Sequence, residues 1–425
     1  MLLLLTTAHS TALTGFAPAG SPELALAKWV TSEGGHVSSK LRVKANDGVR
    51  GLFVSDAVVA GERLLTIPRA SVISAEEDPQ WGLSLRELLT ARLCGAIARG
   101  ESAPYIDALP ADEPILCDWS EPELAELQSA SLVEFARGLP PFLDESVERL
   151  LPFVKVERER VAWAERMVRS RALLFESGWE LYVRTMCLVP LLDLANHRTP
   201  PRRRGATSQE IVEPVSLSLD EQAVTLAARC DLAAGSEVFI CYDYNGNRRL
   251  LADYGFAELI DANEQPSREQ TRLPLPLPLP LPQKADDDEA THGEATLVLG
   301  TDELDGAALA TLRLHVADEA GGAGGAGGAV CAALLAACET ELARAPTTEA
   351  HDRDVLASGA APPEGVGAGR WRSALAYRIG QKAQLAATAA ALSGLLADAE
   401  EEEGARPLDE ARVRDALRAL RSEEV

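Results

Sequence analysis

Hydrophobic and polar positions change their spacing several times along this chain, and the changes divide it into blocks. Between residues 27 and 73, short apolar runs are broken by glycine and proline, as in RGLFVSDAVVAGERLLTIP, which predicts short strands joined by turns. Strands are predicted again over residues 186–258, because VSLSLD alternates and the apolar runs AVTLAAR and EVFICYDY follow it.

The block between these two, residues 74–185, has a helical spacing. SEPELAELQ begins like a capped helix, because Ser120 is followed three residues later by Glu123. VAWAERMVRSRALLF also repeats its apolar residues at near-helical intervals. In LRELLTARLCGAIARG the apolar residues share one helical face: Leu85, Leu88, Leu89, Leu93, Ala96 and Ile97.

Low-complexity sequence begins at residue 264, where LPLPLPLPLP, ADDDEA and GGAGGAGGA predict extended or flexible chain over 264–295 and 318–329. Ordered structure is expected again near residue 371, because WRSALAYRIGQKAQLAATAAALSGLL reads as a helix. Its predicted buried stripe is Trp371, Leu375 and Ile379, and its predicted exposed cations are Arg372, Arg378 and Lys382.

Composition narrows the class of protein. The chain has 425 residues, 46% of them hydrophobic, with a net charge of -24. Phosphate binding depends on lysine and arginine, so this charge disfavours a nucleic-acid partner and mildly favours a basic peptide. Seven cysteines without a C-x-x-C spacing predict free thiols, with neither a disulfide framework nor a metal site. We expect no membrane span, because no apolar run reaches the length required, about 18 residues.

The first 21 residues can be interpreted in two ways. MLLLLTTAHSTALTGFAPAG is either an apolar N-terminus or a targeting leader, whose TGFAP string is similar to the cleavage context of bipartite plastid leaders. The leader predicts a plastid protein, and its absence predicts a cytoplasmic or nuclear one.

Three motifs carry the candidate chemistry. LLDLANHRTP holds Asp193, Asn196 and His197, CYDYNGNRRLLA holds Tyr242, and DYGF adds Tyr254 and Phe256. Together they resemble the paired signature of SET-domain protein methyltransferases. The resemblance is to the branch that includes the Rubisco large-subunit lysine methyltransferase and the actin-histidine methyltransferase. It covers residues 27–260 well and 296–397 loosely.

This resemblance implies an α+β fold. It predicts a SET-domain β-fold over 22–262 with a helical insert at about 74–185, after a leader at 1–21. A linker at 263–295 then precedes a mostly helical, substrate-binding-like domain at 296–425, in which YRIGQKAQL is similar to a family helix. That domain is expected to carry flexible Gly/Ala-rich insertions.

The resemblance also implies S-adenosyl-L-methionine as cofactor, with no metal. Asn196 and His197 would contact it, whereas Asp193 either touches it or locks the chain crossing. Gly51, flanked by Arg50 and Leu52, would approach it through the backbone. Arg171 would either hold the cofactor carboxylate or cap a helix.

Methyl transfer needs an uncharged amine aligned with a sulfonium, and an apolar channel lowers the pKa of a lysine. Tyr242 would be the catalytic residue that orients this amine, while Tyr254 and Phe256 would line the substrate channel. The predicted function is a monomeric protein-lysine N-methyltransferase acting on a protein substrate. The alternatives are a protein-histidine N-methyltransferase and a catalytically silent SET-like binding module.

Overall fold

The computed structural model describes most of the chain, and every structural statement below refers to the part that it describes. The described residues are 13, 15–46, 49–177, 183–200, 214–242, 246–259, 271–274, 296–299, 309, 312, 326–401, 408 and 410–419.

The chain divides into two compact units. The first comprises Met1–Pro114, Leu139–Pro200 and Val212–Tyr242. The second comprises Ile115–Gly138, Pro201–Ile211 and Asp243–Val425.

The strands of the first unit form three sheets. One has the order β1-β4-β10-β9, the second β2-β3-β11-β8 and the third β5-β7-β6. The strands are β1 (His36–Val37), β2 (Leu41–Asn46), β3 (Val49–Val54), β4 (Arg63–Pro68), β5 (Ile73–Glu76), β6 (Leu173–Ser177), β7 (Val183–Leu188), β8 (Asn196–His197), β9 (Val215–Leu219), β10 (Ala223–Ala228) and β11 (Glu237–Ile240).

Alternation places one face of these strands in the core. Along β10, Val224, Leu226 and Ala228 are buried and the residues between them are partly exposed. VSLSLD and AVTLAAR therefore form strands as their spacing predicts.

Apart from α1 (Pro22–Ser32), which precedes β1, the helices of the first unit lie between β5 and β6. The longest of those confined to this unit, α2, carries the predicted apolar face, with Leu89 and Leu93 fully buried. The helical block is shorter than the predicted 74–185, because its two ends are strands that pair with β7 in one sheet. The helices described up to Arg171 are α1 (Pro22–Ser32), α2 (Leu85–Arg99), α3 (Ala103–Ile106), α4 (Glu121–Ala125), α5 (Ala130–Leu150) and α6 (Arg158–Arg171).

The end of the predicted leader belongs to this core. Leu13, Phe16 and Ala17 are buried, with Phe16 only 1% exposed. The Phe16 carbonyl also accepts a hydrogen bond from the Val43 amide, at 2.7 Å, on β2. Residues 1–12 lie outside the described part of the chain.

The second unit is mainly helical, with one two-stranded sheet. Strands β12 (Thr271–Pro274) and β13 (Thr296–Leu299) pair antiparallel, so β12 places a strand inside the predicted linker. The rest of 264–295 and residues 318–325 lie outside the described residues, whereas 326–329 already belong to a helix. The remaining helices are α7 (Asn247–Tyr254), α8 (Ala326–Arg344), α9 (Glu349–Ser358), α10 (Ala368–Glu401) and α11 (Glu410–Ala419).

Helix α10 confirms the predicted helix and its apolar stripe but not its exposed cations. Trp371, Leu375 and Ile379 are buried, and Arg372 is exposed as expected. The prediction that Arg378 and Lys382 face solvent is wrong, because these side chains are 3% and 7% exposed.

Both buried cations pair with a carboxylate on α9. Asp352, which is fully buried, accepts hydrogen bonds from Arg378 at 2.8 Å and Lys382 at 2.6 Å. Lys382 also donates to Thr347 and Gln128, both at 2.9 Å. Burial lowers the pKa of Lys382, although Asp352 opposes that shift by favouring the charged amine.

All seven cysteines are free thiols, as their spacing predicts, and four of them are buried. No helix among the described residues is long and apolar enough to cross a membrane.

Candidate active site

Three strands of the first unit bring the sequence motifs together. Strand β11 pairs antiparallel with β3, so Val238 lies opposite Leu52. On its other side β11 pairs parallel with β8, so Phe239 and Ile240 lie opposite Asn196 and His197. The Arg50-Gly51-Leu52 segment of β3 and the Asn-His pair of β8 therefore flank one strand, which leads to Tyr242.

Gly51 lies where these strands approach most closely. The Asn196 side-chain amide donates to the Arg50 carbonyl at 2.9 Å and to Glu237 Oε1 at 2.7 Å. A Cβ atom on Gly51 would lie 2.7 Å from Asn196 Nδ2 and closer still to Glu237 Oε1. A side chain at this position would require the ends of the Asn196 and Glu237 side chains to move.

The neighbours of Gly51 are held by their side chains. Leu52 is fully buried, so only its backbone can reach a ligand. Arg50 forms an ion pair with Glu23 on α1. Burial alone would raise the pKa of Glu23, but its hydrogen bonds, including that from Arg50, outweigh burial and lower it.

Tyr242 is fixed at both ends. Its backbone amide donates to His197 Nδ1 at 3.0 Å, and its hydroxyl donates to the Ala195 carbonyl at 2.8 Å. The ring centroids of His197 and Tyr242 are 5.3 Å apart. Burial raises the pKa of Tyr242 well above its ordinary value, so its hydroxyl stays protonated at neutral pH.

Asp193 belongs to a buried cluster of charged and polar side chains. The Tyr105 hydroxyl donates to Asp193 Oδ2 at 3.0 Å, and Arg171 donates to the Asp193 carbonyl at 3.2 Å. Arg171 also pairs with Glu113 at 2.5 Å. Burial raises the pKa of Asp193, and the nearby Arg171 opposes that shift.

The backbone before Asp193 is strained. Leu191 has a φ of 66°, which a bulky residue rarely adopts, and its side chain is fully buried. The short helical turn Leu192–Leu194 follows directly. Such strain persists only where surrounding contacts impose it, and it clusters at functional sites.

Sequence analysis missed three polar members of this region. Tyr105 lies in the string APYIDALP, which is typical of the SET-domain family but was given no role. Glu113 and Glu237 had no signal in the sequence beyond their charge. Arg171, predicted to hold a cofactor carboxylate or to cap a helix, here engages Asp193 and Glu113.

Tyr254 and Phe256 belong to the second unit. Their rings lie 6.3 Å apart in an edge-to-face arrangement, on either side of Gly255. Gly255 ends α7 with a φ of 74°, which favours glycine. Their role as channel walls stays a prediction.

The polar groups around Gly51 suit the amino-acid end of S-adenosylmethionine. That end carries an ammonium, which only donates, and a carboxylate, which only accepts. Arg50 O, Asn196 and Glu237 supply acceptors close to Gly51. In the described part of the chain, no three histidine, cysteine or carboxylate side chains are grouped to hold a metal ion.

No family model matches this chain. It is 25% identical over 268 residues to the chloroplastic ribulose-1,5 bisphosphate carboxylase/oxygenase large subunit N-methyltransferase of Nicotiana tabacum, which covers 56% of this chain and 51% of that protein. It is 32% identical over 165 residues to the chloroplastic [fructose-bisphosphate aldolase]-lysine N-methyltransferase of Arabidopsis thaliana, covering 36% and 33%. The chain thus spans between a third and about half of these relatives.

Solved structures extend the likeness to nearly the whole chain. The SET domain of LSMT bound to lysine and AdoHcy matches with a TM-score of 0.63 at 21% identity, covering 94% of this chain and 96% of that one. Rubisco LSMT bound to AdoMet matches with a TM-score of 0.60, covering 89% and 93%. This chain has the LSMT SET-domain fold, which confirms the predicted α+β class.

Proposed function

We propose that this chain is an S-adenosylmethionine-dependent protein-lysine N-methyltransferase. The observation that carries the proposal is that β3 with Gly51 and β8 with Asn196 flank β11, the strand that leads to Tyr242. The names of the relatives support it, because they are lysine or Rubisco large-subunit methyltransferases.

The residues of this chain would bind and orient the two reactants. Bound S-adenosylmethionine supplies a methyl group on a sulfonium. Arg50 O, Asn196 and Glu237 would hold the amino-acid end beside Gly51. Tyr242 Oη, whose proton is directed at Ala195 O, keeps its own lone pairs as acceptors for an amine N–H.

Keeping the reacting lysine uncharged is the second task. The surroundings of Tyr242 are buried, and burial disfavours an ammonium because it lacks the solvation of water. Because the Tyr242 hydroxyl keeps its proton, no phenolate is present to stabilise a charged lysine. Alignment in a dry site then supplies most of the rate.

The substrate is a protein, which we place in the plastid because both relatives are named as chloroplastic. The second unit would select that protein. Its helices α9 and α10 are joined by ion pairs, and neither carries a candidate catalytic group.

The test is methylation of a plastid lysate by the full-length chain with isotope-labelled S-adenosylmethionine, followed by mass spectrometry. The Tyr242→Phe variant is the matched control. Label on a lysine that depends on Tyr242 is the expected result. Label on a histidine would show that histidine, not lysine, is the methyl acceptor. A folded chain that binds the cofactor but labels no protein would favour a binding module.

A further inference from the structure

Glu237 is a carboxylate at the centre of the candidate site that motif analysis did not select. It begins β11, and its Oε1 atom accepts a hydrogen bond from Asn196 at 2.7 Å. We propose that Glu237 binds the α-ammonium of the cofactor and fixes the orientation of the Asn196 amide. This inference rests on the proposed function.

The strand pairing fixes where this carboxylate lies. Along β11, Val238 and Ile240 are buried, whereas Glu237 and Phe239 are partly exposed. Glu237 therefore extends from the face opposite the core. Strand β11 pairs with both β3 and β8, so the Glu237 side chain lies beside both Gly51 and Asn196.

The Asn196 amide is oriented by its two acceptors. Its nitrogen carries two hydrogens, and these go to Arg50 O and Glu237 Oε1. Its Oδ1 atom is therefore turned away from both and remains an acceptor. Arg50 O and the Glu237 carboxylate supply acceptor oxygens that match a donor-only ammonium.

In the part of the chain that the structure describes, no basic side chain balances the charge of Glu237. The nearby cations are already engaged, since Arg50 pairs with Glu23 and Arg171 pairs with Glu113. Among the described residues, no lysine or arginine forms an ion pair with Glu237, so its negative charge is available to a cation. It also lies near the chemistry, because its charge helps to raise the pKa of Tyr242, after the larger effect of burial.

Calorimetry with three nucleosides tests the assignment. S-adenosylmethionine and S-adenosylhomocysteine both carry the α-ammonium, and only the first carries a sulfonium. 5′-Methylthioadenosine lacks the amino acid. Glu237→Ala should weaken binding of the first two equally, by about tenfold or more, as expected for a lost charged hydrogen bond. Binding of 5′-methylthioadenosine should change by less than about twofold on the same scale.

Glu237→Gln is the second variant, because it keeps the size and one acceptor oxygen without the charge. Its affinity for S-adenosylhomocysteine should fall between those of the wild type and Glu237→Ala. Glu62→Gln, a partly exposed carboxylate paired with Lys40, is the matched control and should bind normally. Thermal melting checks that each variant is folded.

The outcomes separate the two proposals. Wild-type protein that binds none of the nucleosides overturns the proposed function. Wild-type affinity for S-adenosylhomocysteine in both Glu237 variants overturns this inference alone. Equal loss of affinity for all three nucleosides would mean that Glu237 only stabilises the fold. Loss of affinity confined to S-adenosylmethionine would mean that Glu237 interacts with the sulfonium instead.

Discussion

The Tyr242 hydroxyl is the atom on which the proposed reaction depends most. In Tyr242→Phe we expect kcat to fall by an amount equivalent to about 2–4 kcal/mol, as for other lost transition-state hydrogen bonds. The cofactor dissociation constant should change little, because the contacts around Gly51 remain. Single-turnover kinetics and calorimetry measure the two quantities. A variant with normal turnover would assign Tyr242 to the core.

The raised pKa of Tyr242 predicts how its hydroxyl responds to pH. A group whose pKa is higher in the folded than in the unfolded protein contributes to the stability of the fold. That contribution is complete below the unfolded pKa, near 10.0, and is lost as the pH rises through the folded pKa. The stability difference between wild type and Tyr242→Phe should therefore be constant up to about pH 10 and change only above it. Urea unfolding at several pH values measures it. A difference that already changes near pH 8 would contradict the raised pKa.

At this scale, motifs located only part of the site. They placed Asn196 and His197 near Tyr242, and in the structure His197 contacts Tyr242. Glu237 could not be found this way, because its partner lies 41 residues earlier and neither spacing nor charge indicates the pairing. Side-chain partners across strands are set by register, which is a property of the folded sheet.

The buried ion cluster of α9 and α10 is the clearest element-scale feature. Asp352→Asn should lower the free energy of unfolding by about 3–5 kcal/mol, because Lys382 would stay buried without its counter-charge. Arg378 would keep only Glu126 as its partner carboxylate. Arg372→Ala, on the exposed face of the same helix, should change it by no more than about 0.5 kcal/mol. Urea unfolding of both variants measures the effect. Equal stabilities would mean that the cluster is open to water.

The periodicity of α10 predicted the helix and missed this cluster. The helix is buried around most of its circumference near residues 373–379, so no single stripe separates inside from outside. A lysine or arginine is assigned to solvent by default, because it is rarely buried without a partner. The partner here, Asp352, lies 26 and 30 residues away on another helix.

The N-terminal segment shows what holds the first unit as a whole. Phe16→Ala should cost about 3–5 kcal/mol, as expected for a fully buried aromatic side chain. Phe153→Ala, at a phenylalanine 48% exposed, is the control and should cost under about 1 kcal/mol. Chemical unfolding of both variants decides. A small effect at Phe16 would show that this segment is not part of the stable core in solution.

A chain that ends after residue 262 tests the proposed division of labour between the units. It keeps every residue around Gly51 and Tyr242 but lacks Arg370 and Arg378, the partners of Glu123 and Glu126. We expect weak cofactor binding and loss of most activity on a protein substrate, because remote contacts orient the reacting amine. Circular dichroism must first show that the shortened chain folds. Full activity on the intact protein would remove any substrate role from the part of the second unit after residue 262.

The hydrogen bonds of Asn196 span 146 residues to Arg50 and 41 to Glu237. Contacts this distant in sequence form late in folding, because the intervening chain must first be closed into a loop. The cofactor pocket should therefore be absent from the transition state for folding. Cofactor added during refolding would then leave the folding rate unchanged and slow unfolding alone, so its occupancy would lengthen the lifetime of the native protein.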